Sequence, residues 1–125
     1  MSTGILIKNC NLSLNKDNVV ALAENVDIQN ILSKTGFQRR HKDKGILFQM
    51  FSWVGLTPIF DEDGNIPSFD ITDNGGANDF IEFMVSIAPF VNSGSEIEYD
   101  YFMEPYKITY ENGVANELSF WYFTP

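Results

Sequence analysis

Apolar and polar positions alternate with a period of two over much of the C-terminal third. Ile97, Tyr99, Tyr101 and Met103 interleave with Glu96, Glu98, Asp100 and Phe102. Tyr106, Ile108 and Tyr110 interleave with Lys107, Thr109 and Glu111, and Val114, Asn116, Leu118, Phe120 and Tyr122 form a third set. A strand with one buried face imposes this period. Asn112-Gly113 marks a turn between the last two strands. A three-residue loop, Glu111-Asn112-Gly113, pairs Tyr110 with Val114 and sets Lys107 opposite Glu117, so apolar faces and opposite charges both match.

The N-terminal part mixes both periods. Cys10, Leu12 and Leu14 alternate with polar residues, and Leu6 falls on the same face, with Lys8 interrupting it. Residues 16–34 are helical in period, but Val19, Leu22, Ala23 and Val26 lie half a turn away from Ile28, Ile31 and Leu32. One straight helix cannot bury both stripes, so the phase break predicts two helices parted near Asn25–Asp27. Asp27 is expected to cap the second, and Gly36 fits its C-terminal end.

Phe37-Gln38-Arg39 and Ile46 to Phe51 read as a hairpin around the polar turn Arg40 to Gly45. Leu56 to Phe60 reads as an edge strand, because Pro58 cannot serve a central one. Asp61 to Asn65 reads as a turn and Ile66 to Gly76 as an ordered loop. Phe80, Phe83, Met84, Ile87 and Val91 keep one helical stripe, predicting a helix over 77–91 that Pro89 ends or kinks. The expected fold class is α+β. It is one domain over residues 1–125, with an antiparallel sheet of five to six strands packed on one face by helices, in the order β-αα-ββ(β)-α-βββ.

Composition bounds the chemistry. The 125 residues are 44% hydrophobic, with eleven Phe, five Tyr and two Trp, enough for a packed core. No run of about 18 apolar residues occurs, so no membrane span is expected. No basic and then apolar leader opens the chain, and a single cysteine makes no internal disulfide, so a cytoplasmic protein is expected.

Charge is unevenly spread. Residues 1–44 carry seven Lys/Arg and four Asp/Glu, a net +3, whereas residues 45–125 carry one lysine and thirteen acids, a net −12. That field repels nucleic acid and anionic membranes and draws basic partners.

Catalytic constellations are poorly supplied. Asp70-Ile71-Thr72-Asp73-Asn74-Gly75 imitates the opening of a calcium loop, but its twelfth position, which needs a bidentate Glu, is Ile81. No amphipathic helix precedes it, and Asp61-Glu62-Asp63-Gly64 places its glycine wrongly. Cys10 falls on an apolar strand face, where an inert thiol is expected. The one histidine, His41, sits in a basic turn that lowers its pKa rather than orienting it as a base. One Cys and one His do not make a zinc site. Asn74-Gly75-Gly76 is too short for a phosphate loop, and Asp79 opposes an anion there. The basic turn Arg39 to Lys44 lacks interleaved aromatics for nucleic acid.

Glu96, Glu98 and Asp100 share one strand face at about 7 Å spacing, the one arrangement that suits a carboxylate hydrolase. An acidic solvated face accounts for the same residues. No metal, cofactor or catalytic residue is therefore expected, and the chain is read as a non-enzyme. The expected function is binding of a basic protein, with Glu96, Glu98, Asp100 and Glu104 as contacts and Tyr99 and Tyr101 adding area at the rim. A small-ligand carrier with an aromatic-lined cavity and a strand-carboxylate hydrolase are the alternatives.

The segments Asp79 to Phe83, Ala88 to Val91, Gly94-Ser95-Glu96-Ile97-Glu98-Tyr99, Tyr106-Lys107-Ile108 and Glu111-Asn112-Gly113 carry a resemblance. They resemble small bacterial proteins with a helix, a Gly-Ser-x-Ile-Glu strand start and an Asn-Gly or Asp-Gly hairpin, some of which serve as immunity proteins beside secreted toxins. The resemblance covers the last 45 residues or so and implies a bacterial interaction protein; it assigns no functional residue.

Overall fold

The computed structural model describes residues 4–33, 44–72 and 79–119. In chain order they form β1 (Ile5–Asn11), α1 (Lys16–Ala23), α2 (Val26–Ser33), α3 (Lys44–Trp53), β2 (Leu56–Ile59), β3 (Ser68–Ile71), α4 (Phe80–Ser86), a 3-10 turn (Ala88–Phe90), β4 (Glu96–Tyr101), β5 (Glu104–Glu111) and β6 (Val114–Ser119). The fold class is α+β. The six strands are antiparallel but divide into a four-stranded sheet, β1-β4-β5-β6, and a two-stranded ribbon, β2-β3.

The largest departure from the sequence reading is at Ile46 to Phe51, expected as a strand and found within α3. The run is apolar at almost every position, and such short runs fit either period. Ile46, Leu47, Met50, Phe51 and Val54 are fully buried, while Phe48 and Trp53 stay partly exposed. That i, i+1, i+4, i+5, i+8 stripe belongs to a helix. Gly55, at φ 90°, takes the left-handed turn after α3, and its carbonyl accepts from Thr72 N. Lys44 and Gly45, expected in a hairpin turn, open the helix; Phe37 to Asp43 lie outside the described residues.

Residues 16–33 break into two helices where the phase change predicts. The caps are asparagines, however. Asn15 Oδ1 accepts from Asn18 N, and Asn25 Oδ1 accepts from Ile28 N, so Asn25 and not Asp27 starts α2. Val26, placed on the buried stripe of α1 by period, is 53% exposed because α2 begins there on a new axis. Gln29 is buried, and its Nε2 donates to Ala23 O across the break. The Asp61–Asn65 turn serves a helix too: Asp61 Oδ1 accepts from Asp63 N and Asn65 N, and Asn65 Oδ1 accepts from Lys16 N.

Leu56–Ile59 is a strand, with Pro58 facing Phe69 in the ribbon. Its partner β3 lies where a loop was expected. The helix expected over 77–91 is shorter: α4 spans Phe80–Ser86, and Pro89 sits in the 3-10 turn that follows. Phe80, Phe83, Met84, Ile87 and Val91 are all buried as its stripe requires.

Two registers differ from the sequence reading. In β1 the pairing slips between Ile7 and Asn9. This bulge moves the inward face from Ile5 and Ile7 to Cys10, and it leaves Leu6 outward, paired with Asp100 and 36% exposed. Extrapolating the alternation from Cys10 back to Leu6 runs through the bulge and inverts the face. In the last hairpin the loop has two residues, not three: Glu111 pairs with Val114 and Lys107 with Leu118. Asn112 and Gly113, at φ 52° and 80°, form the primed turn whose twist matches the strands. β6 is an edge strand with weakly distinct faces, so its pattern could not set the register.

The core lies between the four-stranded sheet and the helices. Tyr99 meets Phe80 edge-on at 5.3 Å, and Phe51 meets Phe83 and Phe69 at 5.5 and 4.7 Å. The Tyr110 hydroxyl donates to Met84 O at 2.6 Å, satisfying a carbonyl near the end of α4.

Candidate interaction surface

The helices cover one face of the four-stranded sheet through Ile5, Ile7, Ile97, Tyr99, Ile108 and Tyr110, all buried. The opposite face is set by the register. Glu96, Glu98 and Asp100 line it along the central strand β4, flanked by Asn11, Asn9 and Leu6 from β1 and by Thr109, Lys107 and Pro105 from β5. The three carboxylates thus share a face as their spacing requires, and their side chains are part-exposed there, at 33%, 38% and 25%.

Their charge is partly balanced. Lys107 Nζ lies 3.6 Å from Glu98 and 3.9 Å from Glu96, and Lys8 Nζ lies 3.6 Å from Asp100. Sequence reasoning set Lys107 against Glu117; the two-residue turn puts Leu118 there instead, and the β4–β5 register sets Lys107 beside the acids of β4. Such part-exposed pairs contribute between about 0 and 1 kcal/mol each, so their main consequence is a weaker local field.

The two tyrosines part company. Tyr99 is 1% exposed on the inward face, where burial pushes its hydroxyl pKa up, so its ring adds nothing to the outer surface. Tyr101, at the end of the same face, is 37% exposed, and Glu104 opposite it is exposed.

Two residues the sequence reading passed over stand at this end. Phe102 and Met103 are 67% and 93% exposed and form the two-residue loop between β4 and β5. Alternation had carried the strand through Met103, because Tyr101-Phe102-Met103-Glu104 contains no turn residue. Both loop residues have positive φ, 49° and 71°. For side chains other than Gly or Asn that conformation costs roughly 1–2 kcal/mol each. The legible signal was that pairing Tyr99 with Tyr106, Ile97 with Ile108, leaves only these two residues for the loop.

Phe102 N donates to Gly4 O at 2.7 Å, and its ring lies over Gly4, where a Cβ would come within 2.7–2.8 Å of ring carbons. Tyr101 packs on Phe102 at 4.6 Å and on Tyr106 at 6.2 Å, and Tyr106 stacks on Tyr99 at 5.8 Å. A continuous series of rings therefore runs from Phe80 in the core to Phe102 at the tip.

Elsewhere the described residues hold no group of three or more His, Cys, Asp or Glu arranged for a metal ion. Asp70 lies in β3 opposite Thr57, while Asp73 to Asn78, the rest of the calcium-like loop up to the helix, lie outside the described residues. His41 and the basic turn also lie outside them. Cys10 pairs with Ile97 on the inward face, and burial pushes its thiol up to about 12. The thiol should therefore react with a disulfide reagent at pH 8 at least about 100-fold more slowly than in urea-unfolded chain; comparable rates would contradict its placement. No described helix is long and apolar enough to cross a membrane. Comparison with known proteins gives no match to any family model, curated protein or solved structure.

Proposed function

We propose that this chain is an acidic protein-binding module that engages a basic protein, in the manner of an immunity-type inhibitor of a toxin domain. The observation that carries this reading is the sheet face away from the helices, whose central strand β4 presents the part-exposed Glu96, Glu98 and Asp100, on a chain of net charge −9; Glu104, which opens β5 opposite Tyr101, stands at the same end on the other side of the sheet. A net negative chain accelerates encounter with a partner of opposite sign. The packed rings between sheet and helices favour binding at the surface over a ligand cavity. The carboxylates are part-exposed on a strand face and paired with lysines, an arrangement suited to recognition rather than to acid–base chemistry in a cleft.

The ion pairs make a two-sided test. Once a pull-down from the native host identifies the partner, its association rate is measured from low to moderate salt. Changing Glu96 and Glu98 to Gln and Asp100 to Asn should slow association and flatten its salt dependence. Lys107→Met, which releases Glu96 and Glu98, should speed association by a factor between about 2 and 10 at low salt. Opposite signs for the two variants are expected. Unchanged rates in both would remove this face from the interface, and an acidic partner would overturn the reading.

A further inference from the structure

We infer that the Phe102–Met103 hairpin tip is the apolar anchor of the interface, inserting into an apolar pocket bordered by Lys or Arg on a protein partner. This rests on the proposed function and names the residues that would supply most of its binding energy. Three observations converge on the tip.

The first is exposure. Phe102 and Met103 are the most exposed of the large hydrophobic side chains among the described residues, at 67% and 93%. Aromatic and thioether side chains exposed to water are suited to filling a partner's pocket, and interface energy concentrates in a few such residues.

The second is an internal comparison. The neighbouring β5–β6 hairpin closes with Asn112-Gly113, the residues its positive φ angles of 52° and 80° favour. The β4–β5 hairpin has the same two-residue length and the same sign of φ, yet carries Phe and Met. The turn would close more easily with Asn-Gly. Strain kept at an exposed turn points to a use for these side chains outside the fold.

The third is preorganisation. Phe102 is fixed by its backbone N–H donating a hydrogen bond to Gly4 O, by its ring lying over Gly4 and by contact with Tyr101. An anchor already held in one orientation loses less freedom on binding. Charge then selects the partner. Glu104 follows the tip directly on the Tyr101 side, and Asp100, paired with Lys8, precedes it on the other side of β4. An acidic surround disfavours an anionic membrane, and a second copy of the chain would bring like charges together, so a pocket bordered by basic groups is the complementary surface.

The test uses a displayed library of random peptides selected on the intact protein, with the double variant Phe102→Asn, Met103→Gly as the comparison. Selected peptides are expected to combine Lys or Arg with large apolar residues. Their Kd should rise about 10- to 100-fold against the double variant, whose melting temperature should equal or exceed that of the parent. The triple variant Glu96→Gln, Glu98→Gln, Asp100→Asn should chiefly lose salt dependence.

Peptides that bind the double variant as well as the parent but lose affinity for the triple variant would overturn the anchor and leave the proposed function standing. Selection of acidic peptides, or of none, would count against both. A lower melting temperature with unchanged peptide binding would assign the tip to folding and overturn the anchor. Tip-dependent dimerisation in sedimentation, or tip-dependent binding to phosphatidylcholine vesicles, would replace the partner by a second copy or a lipid surface and overturn it too.

Discussion

Replacing Tyr110 by alanine should destabilise the protein by about 4–7 kcal/mol, enough to unfold much of it at 37 °C. Tyr110 is 1% exposed on β5. Truncating a buried aromatic ring leaves a cavity that the surrounding sheet and helix only partly close, which costs about 3–5 kcal/mol. The hydroxyl adds a second loss. Its donation to Met84 O at 2.6 Å joins the sheet to the end of α4. Without it, a carbonyl that packing has removed from water lacks this donor, which costs about 1–2 kcal/mol. Tyr110→Phe keeps the ring and should therefore lose only this smaller amount. Urea unfolding of the three proteins, with equal m values, separates the two contributions. If the Phe variant matched the Ala variant, the ring would not be packed as described. If the Phe variant were as stable as the parent, the hydrogen bond would carry no net stability.

Stability should also fall steeply in alkali. Burial raises the Cys10 thiol from 9.0 to about 12 and pushes the Tyr99 and Tyr110 hydroxyls up from their ordinary 10.0. Acids whose folded-state pKa is raised keep their protons when the unfolded chain has released them. The folded state then binds more protons than the unfolded state, so stability decreases as pH rises. The contribution is complete below pH 9 and is lost as the pH climbs from the unfolded values toward the folded ones. Each withheld proton gives a slope of about 1.4 kcal/mol per pH unit. With all three groups engaged, the decline between pH about 10.5 and 12 approaches about 4 kcal/mol per unit. Urea midpoints measured from pH 8 to 12 give the slope directly. Cys10→Ala should make it shallower by about one proton's share. A midpoint independent of pH to 11 would mean that these groups are hydrated in the folded protein.

The open face behaves differently from the core in both respects. Glu96, Glu98 and Asp100 lie beside Lys107 and Lys8 in part-exposed pairs, so neutralising them should change encounter rates far more than folding. This separation makes the proposed binding surface testable without loss of the fold. The same holds for the β4–β5 turn, where Asn-Gly satisfies the backbone at least as well as Phe102-Met103.

Several features of the chain were readable from local pattern alone. The helical stripe Phe80, Phe83, Met84, Ile87, Val91, the break between α1 and α2, and the alternation of β4 and β5 depend only on the periods of helix and strand, which any one-sided burial must obey. That Glu96, Glu98 and Asp100 share a face followed from the same alternation. Whatever depended on a partner in space was not readable. Ile46 to Phe51 is apolar enough for either period, and its helical state is decided by which of its residues meet the core. The Lys8 bulge, which turns Leu6 outward, exists only through pairing with β4. The Asn112-Gly113 register, which sets Lys107 opposite Leu118 rather than Glu117, was decided by the twist of the turn against an edge strand of weak pattern. The inward burial of Tyr99 and the outward display of Phe102 and Met103 were settled by where β4 stops and β5 begins. Composition and period determined the class of fold and the net negative charge; register, bulge and turn determined which side chains face water, because a shift of one residue exchanges the two faces of a strand.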